Sequence, residues 1–176
     1  MRIYYLLFSF FFCFSCKEIT PRKPINQNNK TFYSSSIDRN LKIKTQQESL
    51  FKMIIEKSKE PYYSSNSGFW YKFLKKNYKT NQPESGDKVT FSYKIEDVNS
   101  RLIYDELTLG EVTYIVDKED ILPALREGIK VLSEGEIARF LFPSFLCYSY
   151  TGDGEKISIN QPLIITINLL EIIENN

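Results

Sequence analysis

The chain carries no histidine, so no imidazole can serve as a base, a proton shuttle or a metal ligand. That removes Ser-His-Asp and Cys-His arrangements and histidine metal centres. Its cysteines are Cys13, Cys16 and Cys147. The first two have C-x-x-C spacing but lie in an apolar leader, and no such pair falls in the body. Zinc and dithiol redox chemistry are therefore not indicated, and no metal or cofactor is expected. Cys147 reads as a small buried hydrophobe. Tyrosines and carboxylates are what remain. Tyr148 falls in an aromatic-rich loop, Pro143-Ser144-Phe145-Leu146-Cys147-Tyr148. It is more informative there than Tyr93, Leu125 or Ile165, which sit on patterned faces that any such domain buries. Asp105, taken alone, reads as a solvated turn residue. The net charge is +1 with both signs interspersed, which gives no basic field for nucleic acid.

The elements that must position these residues begin after a leader. Met1-Arg2 precedes an apolar run, Ile3–Phe14, broken by Ser9. The run is too short to span a bilayer as a helix and fits a secretory signal. Ser15-Cys16 resembles a bacterial lipobox, with Cys13 and Phe14 where aliphatic and small residues usually stand. Residues 1–15 are thus expected to be a lipoprotein signal peptide, with Cys16 lipidated. A plain cleaved signal and an uncleaved anchor are the alternatives. No acidic residue directly follows Cys16, which resembles outer-membrane sorting. The expected location is the cell envelope, on the periplasmic face of the outer membrane.

Residues 16–44 are polar, with Pro21 and Pro24, and read as a flexible tether. Residues 45–61 read as an amphipathic helix, with Leu50, Phe51, Ile54 and Ile55 at helical spacing. Thr45 and Glu48 have capping-box spacing, and Pro61 stops the run. Such a helix docks on the domain or dimerises; one short helix favours docking. The oligomeric state stays open.

Residues 62–176 read as one α+β domain. Val89, Phe91, Tyr93 and Ile95 share one face of a half-buried strand. Gly68–Lys76, Arg101–Tyr104, Val112–Val116, a run through Ala138, Phe140 and Phe142, and Leu163–Leu169 supply further strands. Acidic Glu119-Asp120 and then Pro123 open a short helix to about Leu132, with Leu125, Ile129 and Leu132 as its apolar stripe. One short helix among antiparallel strands must pack on their sheet.

In order and spacing, Gly68–Ile172 resembles an FKBP-type peptidyl-prolyl cis-trans isomerase domain. The resemblance rests on Gly86-Asp87-Lys88-Val89 with Tyr93, and on Ile103-Tyr104-Asp105. It continues through Asp120-Ile121-Leu122-Pro123, Leu125-Arg126-Glu127-Gly128 and Glu134-Gly135-Glu136. Phe142-Pro143-Ser144 with Tyr148, and Pro162–Leu170, complete it. It implies an antiparallel β half-barrel wrapped around one short α-helix. Cys16-Lys17-Glu18, Arg22-Lys23-Pro24-Ile25, Ser67-Gly68-Phe69-Trp70-Tyr71 and Ile103-Tyr104 further resemble the gliding-motility-associated lipoproteins of that family. They imply proline-containing clients in the envelope, and attachment to the membrane through Cys16.

The implied chemistry needs no acid, base or metal. The amide rotation barrier is ~18–20 kcal/mol because the C–N bond is partly double. Twisting the bond lessens its charge separation, so an apolar site favours the twisted state, and fixed donors hold the carbonyl meanwhile. Carried over from the family, Tyr93 is the strand tyrosine and Tyr148 the loop tyrosine that donates to substrate. Tyr104 stands for a phenylalanine, and Asp105 is the pocket aspartate. Ile121 and Leu122 line the helix entrance, with the Leu122 N–H meeting a substrate carbonyl. Val112, Tyr114, Ile157 and Ile165 line the walls, and Leu125 replaces the usual tryptophan floor. Val112 also replaces a phenylalanine, Ser149 a glycine, and Ser158-Ile159 two prolines. These departures imply a wider site. The alternative to an isomerase is a catalytically weak or inactive FKBP-like binding or chaperone module.

Overall fold

In the computed structural model, which describes residues 29–78 and 81–175, the strand patterns become one antiparallel sheet. The elements run α1 (Asn29–Glu56), β1 (Tyr63–Ser64), β2 (Trp70–Lys75), β3 (Lys88–Glu96) and β4 (Leu102–Tyr104). They continue with α2 (Glu106–Leu109), β5 (Glu111–Ile115), α3 (Pro123–Ile129), β6 (Ile137–Phe142) and β7 (Leu163–Ile173). By its contacts the chain divides into Met1–Ser36 and Ile37–Asn176. The sheet, the core and the candidate site all lie in the second unit. The expected signal peptide and the lipidated Cys16 lie outside the described residues, as does the tether up to residue 28. Among the described residues, no helix is long and apolar enough to cross a membrane.

The strand order is β1-β2-β6-β7-β3-β4, with β5 also paired to β3. Strand β3 is the hub. One edge pairs with β7 along its whole length, with Tyr93 opposite Ile167 and Ile95 opposite Ile165. The other edge is shared. Strand β5 takes Lys88–Ser92 and β4 takes Ile95–Glu96. The one-turn helix α2 fills the gap, and the Ser92 hydroxyl ties it to β3 through the Glu106 carboxylate. The interruption comes directly after Tyr104, which still pairs with Ile95, and leaves Asp105 at the start of α2.

Helix α3 packs across the inner face. Gly128 permits the approach: a Cβ there would lie 2.8 Å from Ile167 Cδ1 and 3.2 Å from Phe142 Cζ. Phe140 and Phe142 stack at 5.2 Å, and Phe69 meets Phe142 at 4.9 Å. With Val89, Phe91, Leu125 and Ile129 these rings form the main core. The opposite face of the sheet carries a smaller cluster of Phe51, Leu141 and Ile164, edged by Trp70. Phe51 has no exposed surface and its ring lies 5.6 Å from that of Trp70. Helix α1 is therefore docked through the stripe expected of it.

Its limits differ from those expected. The helix begins by Asn29, not at residue 45, so residues 29–44 are helix and not tether, and it ends at Glu56, not at residue 61. The Thr45 hydroxyl donates to the Leu41 carbonyl one turn back, and Ser49 does the same to Thr45. Bonded this way, Thr45 continues the helix instead of capping it.

Candidate functional site

The residues carried over from the family fall into two sets by burial. Tyr114, Leu125, Ile157 and Ile165 belong to the core, none more than 4% exposed. Tyr93, Tyr104, Val112, Ile121, Leu122 and Tyr148 are half-buried and pack against it. A rim with polar tips thus surrounds an apolar floor. Alternation in β3 and β5 places Tyr93 and Val112. The Tyr114 hydroxyl is already used, accepting the Asp117 N–H at 3.0 Å.

Local chain geometry supplies the rest. Leu122 stands at the N-cap of α3 with Pro123 directly after it. Its carbonyl accepts the N–H groups of Leu125 and Arg126 at 2.9 and 3.1 Å. Its own N–H has no partner among the described residues, as expected of an amide before the first helical turn. Asp105 begins α2 in an extended conformation, and its carboxylate does not cap the helix. A 3-10 turn, Ser144–Leu146, delivers Cys147 into the core and Tyr148 to the rim. Burial pushes the Cys147 thiol up, which keeps it protonated and unreactive.

The tyrosine tips converge. Burial raises the Tyr148 phenol above its ordinary value, and nearby Tyr93, Asp153 and Cys147 raise it further. Burial alone raises Tyr93. Neither hydroxyl donates to a protein group among the described residues. Both stay protonated at neutral pH and remain available as donors.

Tyr104 differs. Its hydroxyl donates to Asp153 Oδ2 at 2.5 Å, which together with burial holds the phenol well up. The other Asp153 oxygen accepts the N–H groups of Glu155, Lys156 and Ile157 at 2.9, 3.0 and 2.8 Å. Burial opposes ionisation of Asp153, yet Tyr104 and those three amides outweigh it and hold the carboxyl down to about 2. Lys156 Nζ lies 4.7 Å from the centre of the Tyr104 ring. Asp153 has no place in the sequence-based site. Its signal is an Asp before Gly with amides two to four residues on, a turn-forming carboxylate.

Among the described residues no group of three or more His, Cys, Asp or Glu side chains could hold a metal. The arrangement offers fixed neutral donors over an apolar surface, suited to holding a carbonyl while an adjacent amide turns.

Residues 79–170 match the family of FKBP-type peptidyl-prolyl cis-trans isomerases. A relative in Neisseria meningitidis serogroup B, the probable FKBP-type peptidyl-prolyl cis-trans isomerase FkpA, is 31% identical over 117 residues. That match takes in 65% of this chain but 42% of the relative, so the chain spans less than half of that protein's length. Among solved structures, FkpA from Escherichia coli superposes with a TM-score of 0.59 at 22% identity, over 98% of this chain and 83% of that one. A peptidyl-prolyl cis-trans isomerase from Pseudomonas syringae pv. tomato gives a TM-score of 0.61 at 14% identity, over 75% and 94%. At those identities the likeness is one of fold. The sheet wrapped on α3 and the matched segment from β3 to β7 together place this chain in the FKBP-type peptidyl-prolyl cis-trans isomerase family.

Proposed function

We propose that the protein is a peptidyl-prolyl cis-trans isomerase acting on proline-containing client proteins of the cell envelope. The observation that carries this reading is the pair of unengaged phenols, Tyr93 and Tyr148, half-buried against the apolar core that holds Leu125 and Ile165. A proline ring sits on the apolar floor. The Tyr148 hydroxyl and the Leu122 N–H hold the flanking carbonyls, and the amide loses resonance as it turns. No proton transfer is required. Uncatalysed X–Pro bonds isomerise in roughly tens to hundreds of seconds, slow enough to limit folding.

Cys16 is the lipid attachment point in this proposal, and the protein stands on the periplasmic face of the outer membrane. The supports are the short apolar leader ending in Ser15-Cys16 and the Lys17-Glu18 that follows. The resemblance to gliding-motility-associated lipoproteins supports clients in the motility and secretion machinery. Labelled palmitate incorporated by the wild type and lost in Cys16→Ser tests the anchor. Equal labelling of both forms would refute it.

Activity is tested by following cis-to-trans relaxation of short X–Pro peptides, with X varied, in the presence of the purified protein. Acceleration is expected. Binding of the same peptides without acceleration would select the binding-module alternative. The half-buried Val112, smaller than the wall residue it replaces, is what favours that second reading.

A further inference from the structure

Gln47 lies on the docked face of α1, four residues before Phe51 and seven before Ile54, and is only 5% exposed. A buried amide is costly unless its groups are paired. Its Oε1 accepts the Ser144 N–H at 2.9 Å, and its Nε2 donates to the Ser144 hydroxyl at 2.8 Å and the Asn160 carbonyl at 3.0 Å. Ser144 opens, and Asn160 closes, the segment that carries Tyr148, Asp153 and Ile157.

The neck of that segment is tied in the same place. Ser149 N–H donates to the Ser144 carbonyl at 2.9 Å, and Asn160 N–H donates to the Ser149 carbonyl at 2.6 Å. Ser149 and Asn160 have φ of 48° and 53°, a left-handed conformation that side chains disfavour. Such a neck holds its shape only where surrounding contacts over-determine it. One side chain from α1 therefore grips both ends of the loop, across 97 and 113 residues of sequence.

We infer that Gln47 is a positioning residue for substrate binding, and that the docked helix α1 completes the site by pre-ordering the Tyr148 loop. Gln47 touches no substrate; it acts through Ser144 and Asn160. Without its grip the loop samples other arrangements, and apparent affinity falls by the fraction of time the competent one is lost. Once substrate is bound, the loop is in place and turnover is unchanged. The inference rests on the isomerase reading for its substrate arm alone.

The test uses the full chain with Gln47→Met, which keeps length and removes the hydrogen bonds. Amide exchange is followed at Leu146, Ser149 and Asn160 and, as reference, on β7. The KM and kcat for an X–Pro peptide are measured alongside. Loss of these bonds predicts about tenfold faster loop exchange, about tenfold higher KM and a kcat within about twofold, with β7 unchanged. Unchanged loop exchange overturns the inference, and so does faster exchange with unchanged KM. Should Gln47→Met not fold, Ser144→Ala removes the hydroxyl contact alone and predicts a smaller change in the same direction; no change overturns the inference. If the wild type neither isomerises nor binds the peptide, the isomerase reading fails, and with it the role at substrate. The exchange measurement then still decides whether the grip exists.

Discussion

The Tyr104 hydroxyl donates a 2.5 Å hydrogen bond to Asp153, joining the end of β4 to the far part of the loop that carries Tyr148. Asp153 is also the hub of its own turn, through the amides of Glu155, Lys156 and Ile157. The hydroxyl that distinguishes Tyr104 from a phenylalanine is thus spent on the loop, not on a substrate. Tyr104→Phe should melt a few degrees lower through the loss of this one bond. Isomerase activity should stay within about threefold. Thermal unfolding and peptide relaxation on the same variant check both parts.

Acid should act through the same loop. The folded Asp153 carboxyl sits near 2, below its unfolded range, so its contribution is complete above about pH 4 and is lost as pH falls through about 2. Asp97 adds to this. Burial works against its ionisation, but the Arg101 and Asn99 amides and the Arg101 guanidinium prevail and hold it low. Melting temperature should be flat at neutral pH and drop on acidification below about pH 4. Asp153→Asn should shallow that drop; an equally steep drop in the variant would argue against it.

In alkali the activity should hardly change between about pH 6 and 9. There is no histidine to titrate, and the phenols of Tyr93 and Tyr148 lie above their ordinary 10.0. Rates of peptide relaxation across that range are the check. A step near neutrality would point to a titrating group outside this account.

Ser149 holds φ at 48°, a left-handed conformation that favours glycine. Ser149→Gly relieves the strain at some cost in chain entropy, with a net gain of roughly 0.5–1 kcal/mol. Denaturant unfolding measures it, and the loop should keep its shape.

Much of this was legible in the sequence, for identifiable reasons. Strand β3 shows itself because its inward face needs Val89, Phe91, Tyr93 and Ile95 at every second position, and β6 because Ala138, Phe140 and Phe142 do the same. Helix α3 announces itself through Pro123 and its apolar stripe. The start of α1 did not show, because Thr45 and Glu48 have the spacing of a cap while Thr45 bonds back into the preceding turn. Helix α2 is four residues long, too short for any period to register. Gln47 and Asp153 escaped because their roles depend on distant chain: Ser144 lies 97 residues from Gln47, and Tyr104 lies 49 residues from Asp153. Polar residues announce burial poorly; a glutamine on the stripe of Phe51 and Ile54 was the hint available.

The central claim is that Tyr148 donates to a substrate whose proline rests on the apolar floor. It is tested most directly by cis-to-trans relaxation of an X–Pro peptide with wild type, Tyr148→Phe and Tyr148→Ala, each shown to be folded. The account predicts clear acceleration by the wild type, a loss of about tenfold in Tyr148→Phe from one missing donor, and a larger loss in Tyr148→Ala. Equal acceleration by all three would contradict it.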